Sequence, residues 1–263
     1  MHELHPKFTI PNNENVIIWR YMPLSKFESV LERSALHFTK VSKFIDEGVL
    51  SQFNDLHRQE VYNKEQFRDE QQFQYFLKTI PYYMRIINSK YRELLLINCW
   101  HFSEDINEIM WKRYGDVAIQ STYRRLSDCF KNNSDDVVWI GVLDYRNIHN
   151  ELMDESNTFS PFFVKGNSYS YEKELRVATC LPDDEGFQKV LSEADKEGEK
   201  ISPSKKRVID SSQLTDYGKF VKIDVNLLIE KIYVNRLTDS AFIKKIESLC
   251  YTHQVNAEII KLN

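Results

Sequence analysis

A short segment in the second half of the chain brings charged side chains together at a spacing that could support acid–base chemistry. It covers residues 168–179, with the sequence SYSYEKELRVAT, and its β-favouring residues predict a strand that ends before Pro182. Residues two apart on a strand share a face, so we expect Glu172, Glu174 and Arg176 to point the same way. This face is either a solvated row of ion pairs or the acid–base strand of an active site.

A second candidate is an arginine inside an apolar run. Arg20 belongs to residues 16–21, VIIWRY, which predict a buried strand. A guanidinium in such a position is costly unless it is paired. Arg20 is therefore either a structural ion-pair partner or a cation that binds a ligand. In the second case, we expect it to face Glu172 and Glu174 across a cleft.

Aromatic and basic residues are interleaved along a predicted helix over residues 82–92. They include Tyr83, Arg85, Lys90 and Arg92. Rings and positive charges in alternation can stack on unpaired bases and contact phosphates. The same pattern also fits an ordinary helix surface, so both interpretations stay open.

The composition excludes several classes of function. The 263-residue chain has a formal net charge of −4 and a sequence pI near 6.0, so it lacks the overall basic charge of a dedicated DNA-binding domain. Its seven glycines are dispersed, and the closest pair is Gly186 and Gly198. This spacing excludes a GxGxxG fingerprint and a Walker loop. Side chains must therefore hold the phosphates of any bound nucleotide.

Metal and nucleophile motifs are not indicated either. The nearest approaches to a metal site are His2-x-x-His5 and His101-x-x-Glu104, and neither supplies the three convergent ligands of a catalytic zinc. The four cysteines form no CxxC pair, and no Gly-x-Ser-x-Gly turn is present. These features, with no N-terminal targeting signal and no long apolar run, predict a cytoplasmic protein without a metal or a membrane partner.

Hydrophobic periodicity predicts the elements that position these residues. Strands are expected over 16–21, 35–39, 94–102, 117–122, 137–145, 168–179, 220–223, 231–234 and 256–262. Helices are expected over 24–33, 54–78, 82–92, 104–114, 123–130 and 238–249, with Pro81 separating the second from the third. Strands interrupted by helices without regular alternation indicate an α+β fold with a mixed, mainly antiparallel sheet and flanking helices.

The domain organisation predicted from the same pattern is simple. Residues 1–15 form a polar N-terminal lead-in, and residues 16–263 form a single α+β domain. That domain carries a helical insertion at about 54–92 and a mobile polar segment at about 183–216.

The succession of sequence blocks resembles an uncharacterised bacterial domain family over roughly residues 16–262. The blocks are Trp19–Met22, Leu36–Thr39, Asn98–His101, Met110–Gly115, Val117–Thr122 and Tyr171–Arg176. The pattern of that family is similar to ADP-ribosyltransferases, which have a basic residue on an early strand, a Ser/Thr or Tyr element on a middle strand and a glutamate on a later one. Some members of that superfamily are toxins of bacterial antiphage toxin–antitoxin systems, and some of these modify nucleic acid.

This resemblance implies roles for individual residues. Arg20 would contact a phosphate or ribose of NAD, Glu174 would be the catalytic glutamate, and Glu172 would orient or deprotonate the acceptor. The middle element would be Ser121-Thr122, with Thr39 as a competing match. An aromatic ring would stack on nicotinamide, although each candidate could instead be a core residue; the candidates are Tyr21, Trp111 and Tyr114.

The resemblance therefore implies an ADP-ribosyltransferase-like fold and an NAD-dependent transferase that acts as a toxin in phage defence. NAD is its substrate, the acceptor is nucleic acid with unpaired RNA bases favoured, and an antitoxin protein is a possible partner. A protein acceptor stays open. The alternative class is a non-catalytic module that binds a nucleotide or a partner, with Glu172, Glu174 and Arg176 as a salt-bridged strand face.

Overall fold

The protein is described from a computed structural model. It describes residues 2–44, 62–131, 136–147, 159, 162–181, 211–235 and 238–262, with the backbone alone for residues 80–90. The strands within these residues are β1 (His2–Glu3), β2 (Ile17–Met22), β3 (Ala35–Lys40), β4 (Leu95–Phe102), β5 (Val117–Thr122), β6 (Val138–Val142), β7 (Asp144–Arg146), β8 (Val164–Gly166), β9 (Glu174–Cys180), β10 (Leu214–Thr215), β11 (Gly218–Lys222), β12 (Lys231–Val234) and β13 (Glu258–Lys261). The α-helices are α1 (Leu24–Arg33), α2 (Glu70–Leu94), α3 (Glu108–Tyr114), α4 (Tyr123–Asp128), α5 (Val225–Leu228) and α6 (Ser240–Thr252).

The described elements form a mixed α+β fold with an open, mainly antiparallel sheet and flanking helices, which confirms the predicted class. The main path of the sheet runs β1-β6-β9-β4-β2-β5-β12-β13. Parallel pairs occur at its two edges, β1 with β6 and β12 with β13, and in the small β7–β8 sheet. The other described pairs are antiparallel.

Strand β4 lies in the middle of the sheet, as its apolar sequence predicts. Along one edge it pairs with β9 over seven residues, from Leu95 opposite Cys180 to His101 opposite Glu174. Along its other edge it pairs with two different strands. Its start pairs with β3 and its end pairs with β2. The sheet therefore forks at β4.

A large hydrophobic core covers one face of the sheet. Ile18, Trp100, Ile119 and Val177 contribute to it from four successive strands, and Phe27 contributes from α1. A second cluster around Phe162 and Ile97 packs on the other face. The sheet is thus sandwiched between apolar layers, which fixes the register of β2, β4 and β9.

Two predicted boundaries are wrong near the helices. The sequence predicts a break at Pro81, but α2 runs without interruption through that residue. Proline removes one backbone hydrogen bond, and the turns on either side keep theirs. Helix α3 begins at Glu108 rather than Glu104, because the Asn107 side chain accepts hydrogen bonds from the amides of Ile109 and Met110 and caps it there.

The N-terminal lead-in also differs from the prediction. His2–Glu3 pairs in parallel with β6 and adds an edge strand to the sheet. The Phe8 ring lies against the Phe163 ring, with centroids 3.8 Å apart and an interplanar angle of 30°. An aromatic side chain within the polar segment thus anchors it beside the sheet.

Part of the predicted insertion and most of the polar segment lie outside the described residues, namely 45–61 and 182–210. The end of the polar segment forms a 3₁₀ turn, Ser211–Gln213, followed by β10. Strand β10 pairs with β11, so the segment predicted as loop re-enters the sheet before Asp216.

Candidate active site

The fork in the sheet opens into a cleft. Residues 98–100 of β4 have no ladder partner on the side where β2 and β3 diverge, within the described residues. The cleft at this point has a cavity volume of about 410 Å³, which is within the usual range of ligand sites. Side chains from both faces of the sheet line it, because the fork passes through the sheet.

Arg20 spans the fork from β2 to β4. Its Nη1 donates to Asn98 Oδ1 and to the Cys99 carbonyl, each at 2.7 Å. The Cys99 carbonyl is one of the groups that the missing ladder leaves open, so Arg20 satisfies it. Asn98 is buried and donates through Nδ2 to the His37 carbonyl on β3. These bonds tie both branches of the fork to β4.

Arg20 and Glu174 belong to opposite faces of the sheet by strand alternation. His101 lies opposite both Trp19 and Glu174, so these three residues share a face, and Arg20 has the other orientation. Even so, Arg20 and Glu174 line the same cleft. The expected meeting of guanidinium and carboxylates in one cavity therefore depends on the fork rather than on a shared face.

The two glutamates converge, although not by the predicted strand pleat. Residues Asn167–Glu172 form a 3₁₀ helix, and β9 begins only at Glu174. Lys173 between them has φ 38° and ψ 59°, the left-handed region that L-residues seldom adopt. This turn, and not an extended strand over 168–179, directs both carboxylates into the cleft.

A buried cluster of four charges surrounds this turn. Lys165 Nζ lies 2.7 Å from Glu172 Oε2 and 3.7 Å from Glu174 Oε2. Arg176 binds Glu174 in a bidentate manner, with Nε at 2.7 Å from Oε1 and Nη2 at 3.1 Å from Oε2. All four side chains are at most 9% exposed. Two positive and two negative charges thus compensate one another away from water.

Glu174 is ionised in this setting. Burial raises the pKa of its carboxyl, but the charge of Arg176, its hydrogen bonds and the charge of Lys165 outweigh burial and leave the pKa below its ordinary value. A carboxylate accepts about four hydrogen bonds. Arg176 supplies two of these hydrogen bonds, and Lys165 Nζ lies 3.7 Å from Oε2. The remaining lone pairs of Glu174 can accept from a group in the cleft, whose wall this residue lines.

His101 holds the backbone of the turn. Its Nδ1 lies 2.6 Å from the Glu172 carbonyl, which can only accept, so Nδ1 carries the proton. Its Nε2 then accepts from Asn107 Nδ2 at 3.3 Å. Burial lowers the pKa of His101, which keeps the ring neutral. His101 is therefore a positioning residue for Glu172.

A rim of tyrosines and arginine borders the carboxylates. Arg113 Nη1 lies 3.1 Å from the Tyr171 hydroxyl and 3.4 Å from Glu172 Oε1. The same guanidinium lies 5.5 Å from the centroid of the Tyr114 ring. Tyr114 and Tyr171 are each 40% exposed. Flat aromatic surface and positive charge are thus available at the mouth, beside Glu172.

The structure brings six of the predicted site residues together in the cleft wall. They are Arg20, Tyr21, Thr39, Tyr114, Glu172 and Glu174. Tyr21 also contributes to the local structure, because its hydroxyl accepts from the Asn107 amide at 2.9 Å and burial raises the pKa of its phenol to about 12. Thr39 lies on β3, with Oγ1 3.4 Å from His37 Nδ1.

Three other predicted residues lie outside the cleft wall. Trp111 is buried behind Tyr21, with ring centroids 5.3 Å apart. Ser121 is buried and donates to the Leu228 carbonyl. Thr122 caps α4 by accepting from the Arg125 amide. Of the two predicted positions for the middle Ser/Thr element, only Thr39 reaches the cleft.

The predicted nucleic-acid-binding residues belong to α2. The side chains of Tyr83, Arg85 and Lys90 lie outside the described residues. Arg92 is half-buried, and its Nε is enclosed without a hydrogen-bond partner among the described residues. Arg92 does not line the cleft.

Sequence reasoning missed Lys165, His101 and Asn98. Lys165 interrupts the apolar segment Phe162–Gly166, and this is the same signal that singled out Arg20. Asn98 and His101 are the fourth and seventh residues of β4, where alternation alone does not distinguish a core polar residue from a site residue. Their roles depend on the fork, which no local pattern predicts.

The chain matches no family model, no curated protein and no solved structure. Among the described residues, no group of three or more His, Cys, Asp or Glu side chains is placed to hold a metal ion. Within the same residues, no helix is both long and apolar enough to span a membrane. The resemblance to ADP-ribosyltransferases thus stays a prediction.

We predict that Lys165→Met strongly destabilises the fold. The substitution keeps the length of the side chain but removes the cation that binds Glu172, so the buried cluster is left with one uncompensated negative charge. Loss of one partner of a buried pair costs about 3–5 kcal/mol. Urea unfolding at pH 7 measures this change in the free energy of unfolding. The double variant Lys165→Met/Glu172→Gln should recover part of the loss, and equal stability of the two variants would contradict the compensation.

The stability that Glu174 confers should also depend on pH. Its pKa in the folded state lies below the ordinary value of 4.5, so its contribution is complete above pH 4.5 and is lost as the pH falls through the folded-state pKa. Urea unfolding at a series of pH values below 5 should therefore show a decline in stability. The decline should be smaller in Glu174→Gln, which has no proton to gain; an identical decline in both proteins would assign it to other groups.

Proposed function

We propose that this chain is an NAD-dependent ADP-ribosyltransferase with an ADP-ribosyltransferase-like fold. The observation that carries the proposal is one cleft, in a forked antiparallel sheet, lined by Arg20 and by the paired carboxylates Glu172 and Glu174. A guanidinium suits the phosphates of NAD, and a carboxylate suits a ribose that becomes positively charged. The cleft volume fits a nucleotide-sized ligand.

In the proposed reaction, the glycosidic bond between nicotinamide and C1′ of the ribose breaks, and nicotinamide leaves with the bonding electron pair. The ribose gains oxocarbenium character. Glu174 accepts a hydrogen bond from a ribose hydroxyl with a lone pair that Arg176 does not use. Its negative charge stabilises the developing positive charge. The acceptor then forms a bond to C1′.

Glu172 would receive the proton that the acceptor loses. Its Oε2 is held by Lys165 at 2.7 Å, whereas its Oε1 has only 3.4 Å contacts with Arg113 and Tyr171. Oε1 is therefore the oxygen that can approach an acceptor. His101 holds the backbone carbonyl of the same residue and so keeps this oxygen at the mouth of the cleft.

The proposed acceptor is nucleic acid, with unpaired RNA bases favoured. The rim beside Glu172 supports this choice, because Tyr114 and Tyr171 offer exposed rings and Arg113 lies between them. Base–aromatic stacking is tolerant of sequence and needs an unstacked base. This rim contacts Glu172 directly through Arg113 and Tyr171.

The biological role that we propose is that of a cytoplasmic toxin in phage defence, held inactive by an antitoxin protein. A protein that covers the mouth at Tyr114 and Tyr171 would block both NAD and acceptor. Radiolabel transferred from NAD to nuclease-sensitive material, rather than to protease-sensitive material, distinguishes the RNA acceptor from a protein acceptor.

A second candidate is a module that binds a nucleotide without cleaving it. This candidate is favoured because both carboxylates already have a cationic partner: Arg176 binds both oxygens of Glu174, and Lys165 binds Glu172. In this case the four charges are structural, and the cleft retains NAD or a related nucleotide unchanged. Nicotinamide release separates the two candidates.

We predict that Glu174→Asp lowers nicotinamide release from NAD about 100-fold or more. The shorter side chain keeps the negative charge beside Arg176 but withdraws it from the ribose, and misplaced electrostatic groups cost this much in rate. Glu174→Gln should abolish release but also lower stability by about 3–5 kcal/mol, because Arg176 loses its counter-charge. The Asp variant therefore tests catalysis with less change in folding.

The matched control is Glu247→Asp, the same substitution at an exposed position of α6. It should leave release and melting temperature unchanged. A folded Glu174→Asp protein that releases nicotinamide at the wild-type rate would exclude this carboxylate from catalysis. Wild-type protein that binds NAD and releases no nicotinamide in the presence of RNA would support the non-catalytic module.

We further predict that Tyr171→Ala reduces transfer to RNA more than it reduces hydrolysis of NAD by water. Loss of one stacking ring costs about 1–3 kcal/mol, or roughly 10-fold or more in binding of the acceptor. Tyr171→Phe keeps the ring and should retain most of the transfer. The ratio of radiolabelled RNA to free ADP-ribose measures this partition, and an unchanged ratio in Tyr171→Ala would place the acceptor elsewhere.

A further inference from the structure

The cleft has a second region whose ionisable side chains are all basic. Arg20 on β2, Lys26 on α1 and His37 on β3 all line the cleft. No described carboxylate lies within ion-pair distance of Arg20 or Lys26. This contrasts with the region around Lys165, where each positive charge has a carboxylate partner. The two regions of one cleft thus differ in electrostatic character.

Arg20 is the most enclosed of these three basic side chains. Burial lowers the pKa of its guanidinium to about 10, which leaves it charged at neutral pH. Among the described residues, its side chain donates only through Nη1, and Nε and Nη2 are not sealed off from the cleft. A desolvated guanidinium without a counter-charge is unfavourable by itself. Its remaining N–H groups are available to a ligand in the cleft.

The positive charge of Arg20 also acts on Lys26 and His37. Desolvation and then the charge of Arg20 lower the pKa of Lys26. Desolvation, Arg20 and Lys26 in that order lower the pKa of His37. The other groups that face His37 are the hydroxyls of Thr39 and Thr215 and the ring of Phe220. None of these is negatively charged, so nothing on the protein offsets the effect of Arg20 and Lys26, which disfavours a proton on His37.

Helix α1 adds hydroxyl groups to this region. Ser25 and Ser29, one turn apart, line the cleft beside Lys26. The N-cap residue of α1 is Pro23, which provides no side-chain hydrogen bond to the first turn. The positive end of the helix dipole therefore adds to the charge of Arg20 and Lys26.

We propose that Arg20, Lys26 and His37 form a binding site for the diphosphate group of a nucleotide. A diphosphate carries two negative charges and several acceptor oxygens. It relieves the repulsion between Arg20 and Lys26 and lets His37 take up a proton. This chain has no glycine-rich loop of the kind that holds the phosphates in other nucleotide sites, so these side chains take that role. The inference rests on the proposed function for the choice of the whole nucleotide, but the diphosphate site itself does not require catalysis.

The orientation of the ligand follows from the two regions of the cleft. With the diphosphate at Arg20 and Lys26, the distal ribose extends through the fork towards Glu174. A nucleotide in the reverse orientation would place its phosphates against two carboxylates. The paired cluster at Lys165 and Arg176 has no net charge to attract them.

Calorimetric titration with ADP-ribose and with adenosine tests this site without any chemistry, because neither ligand carries nicotinamide. The wild-type protein should bind ADP-ribose at least 10-fold more tightly than adenosine. Lys26→Met should weaken ADP-ribose binding about 10-fold, as expected for loss of one charged hydrogen bond, and leave adenosine binding unchanged. Lys26 is exposed and has no described ion-pair partner, so this variant should fold normally. The matched control is Lys112→Met, an exposed lysine outside the cleft wall.

A second readout uses His37. Bound phosphate reverses the repulsion from Arg20 and Lys26, so His37 should take up a proton, and ADP-ribose should bind more tightly at pH 6 than at pH 8. The phosphates of ADP-ribose stay ionised across this range, and His37→Gln should flatten the pH dependence. Equal binding of ADP-ribose and adenosine, or an equal effect of Lys26→Met and Lys112→Met, would overturn the proposal. Lys26-dependent binding in a protein that never releases nicotinamide would uphold this site and reject the transferase.

Discussion

The structure depends on how the backbone hydrogen-bonding groups of strand β4 find partners where the sheet divides. Three residues at the centre of β4 lack a ladder partner on the side of the fork, within the described residues. Side chains replace the missing bonds: Arg20 reaches the Cys99 carbonyl from β2, and Asn98 reaches the His37 carbonyl on β3. Buried backbone groups must be satisfied, so the gap is stable only while these residues are in place. The cleft exists because the sheet is held open in this way.

The same arrangement explains why the acidic residues can be buried. Glu172 and Glu174 lie where the second face of the sheet meets the fork, and Lys165 and Arg176 neutralise them from β8 and β9. The four charges of this cluster pair with one another, so neither carboxylate serves as a counter-charge for Arg20 or Lys26 elsewhere in the cleft. A ligand that spans the cleft therefore meets two different environments, a neutral hydrogen-bonding region and a positive one. This division gives a long, polar, asymmetric ligand a defined direction.

Much of the fold could be predicted from local sequence, but the site could be predicted only in part. The apolar run of β4 identified the central strand, and an arginine in an apolar strand identified a residue at the fork. The convergence of Glu172 and Glu174 was predicted for the wrong reason, since a left-handed Lys173 and a 3₁₀ turn replace the expected pleat. Ser121 and Thr122 have the expected residue types, yet core packing and helix capping use them. Lys165 and His101 acquire their roles only through contacts with a turn distant in sequence.

The fork also makes the width of the cleft depend on few bonds. No ladder hydrogen bond joins β2 to β3 among the described residues, so no rung of the sheet sets the separation of these strands where they leave β4. The hydrogen bonds of Arg20 and Asn98 and the shared core around Ile18 and Leu36 set it instead. The aperture is therefore encoded by the size and shape of a few side chains, and a substitution there can resize it while every strand keeps its register.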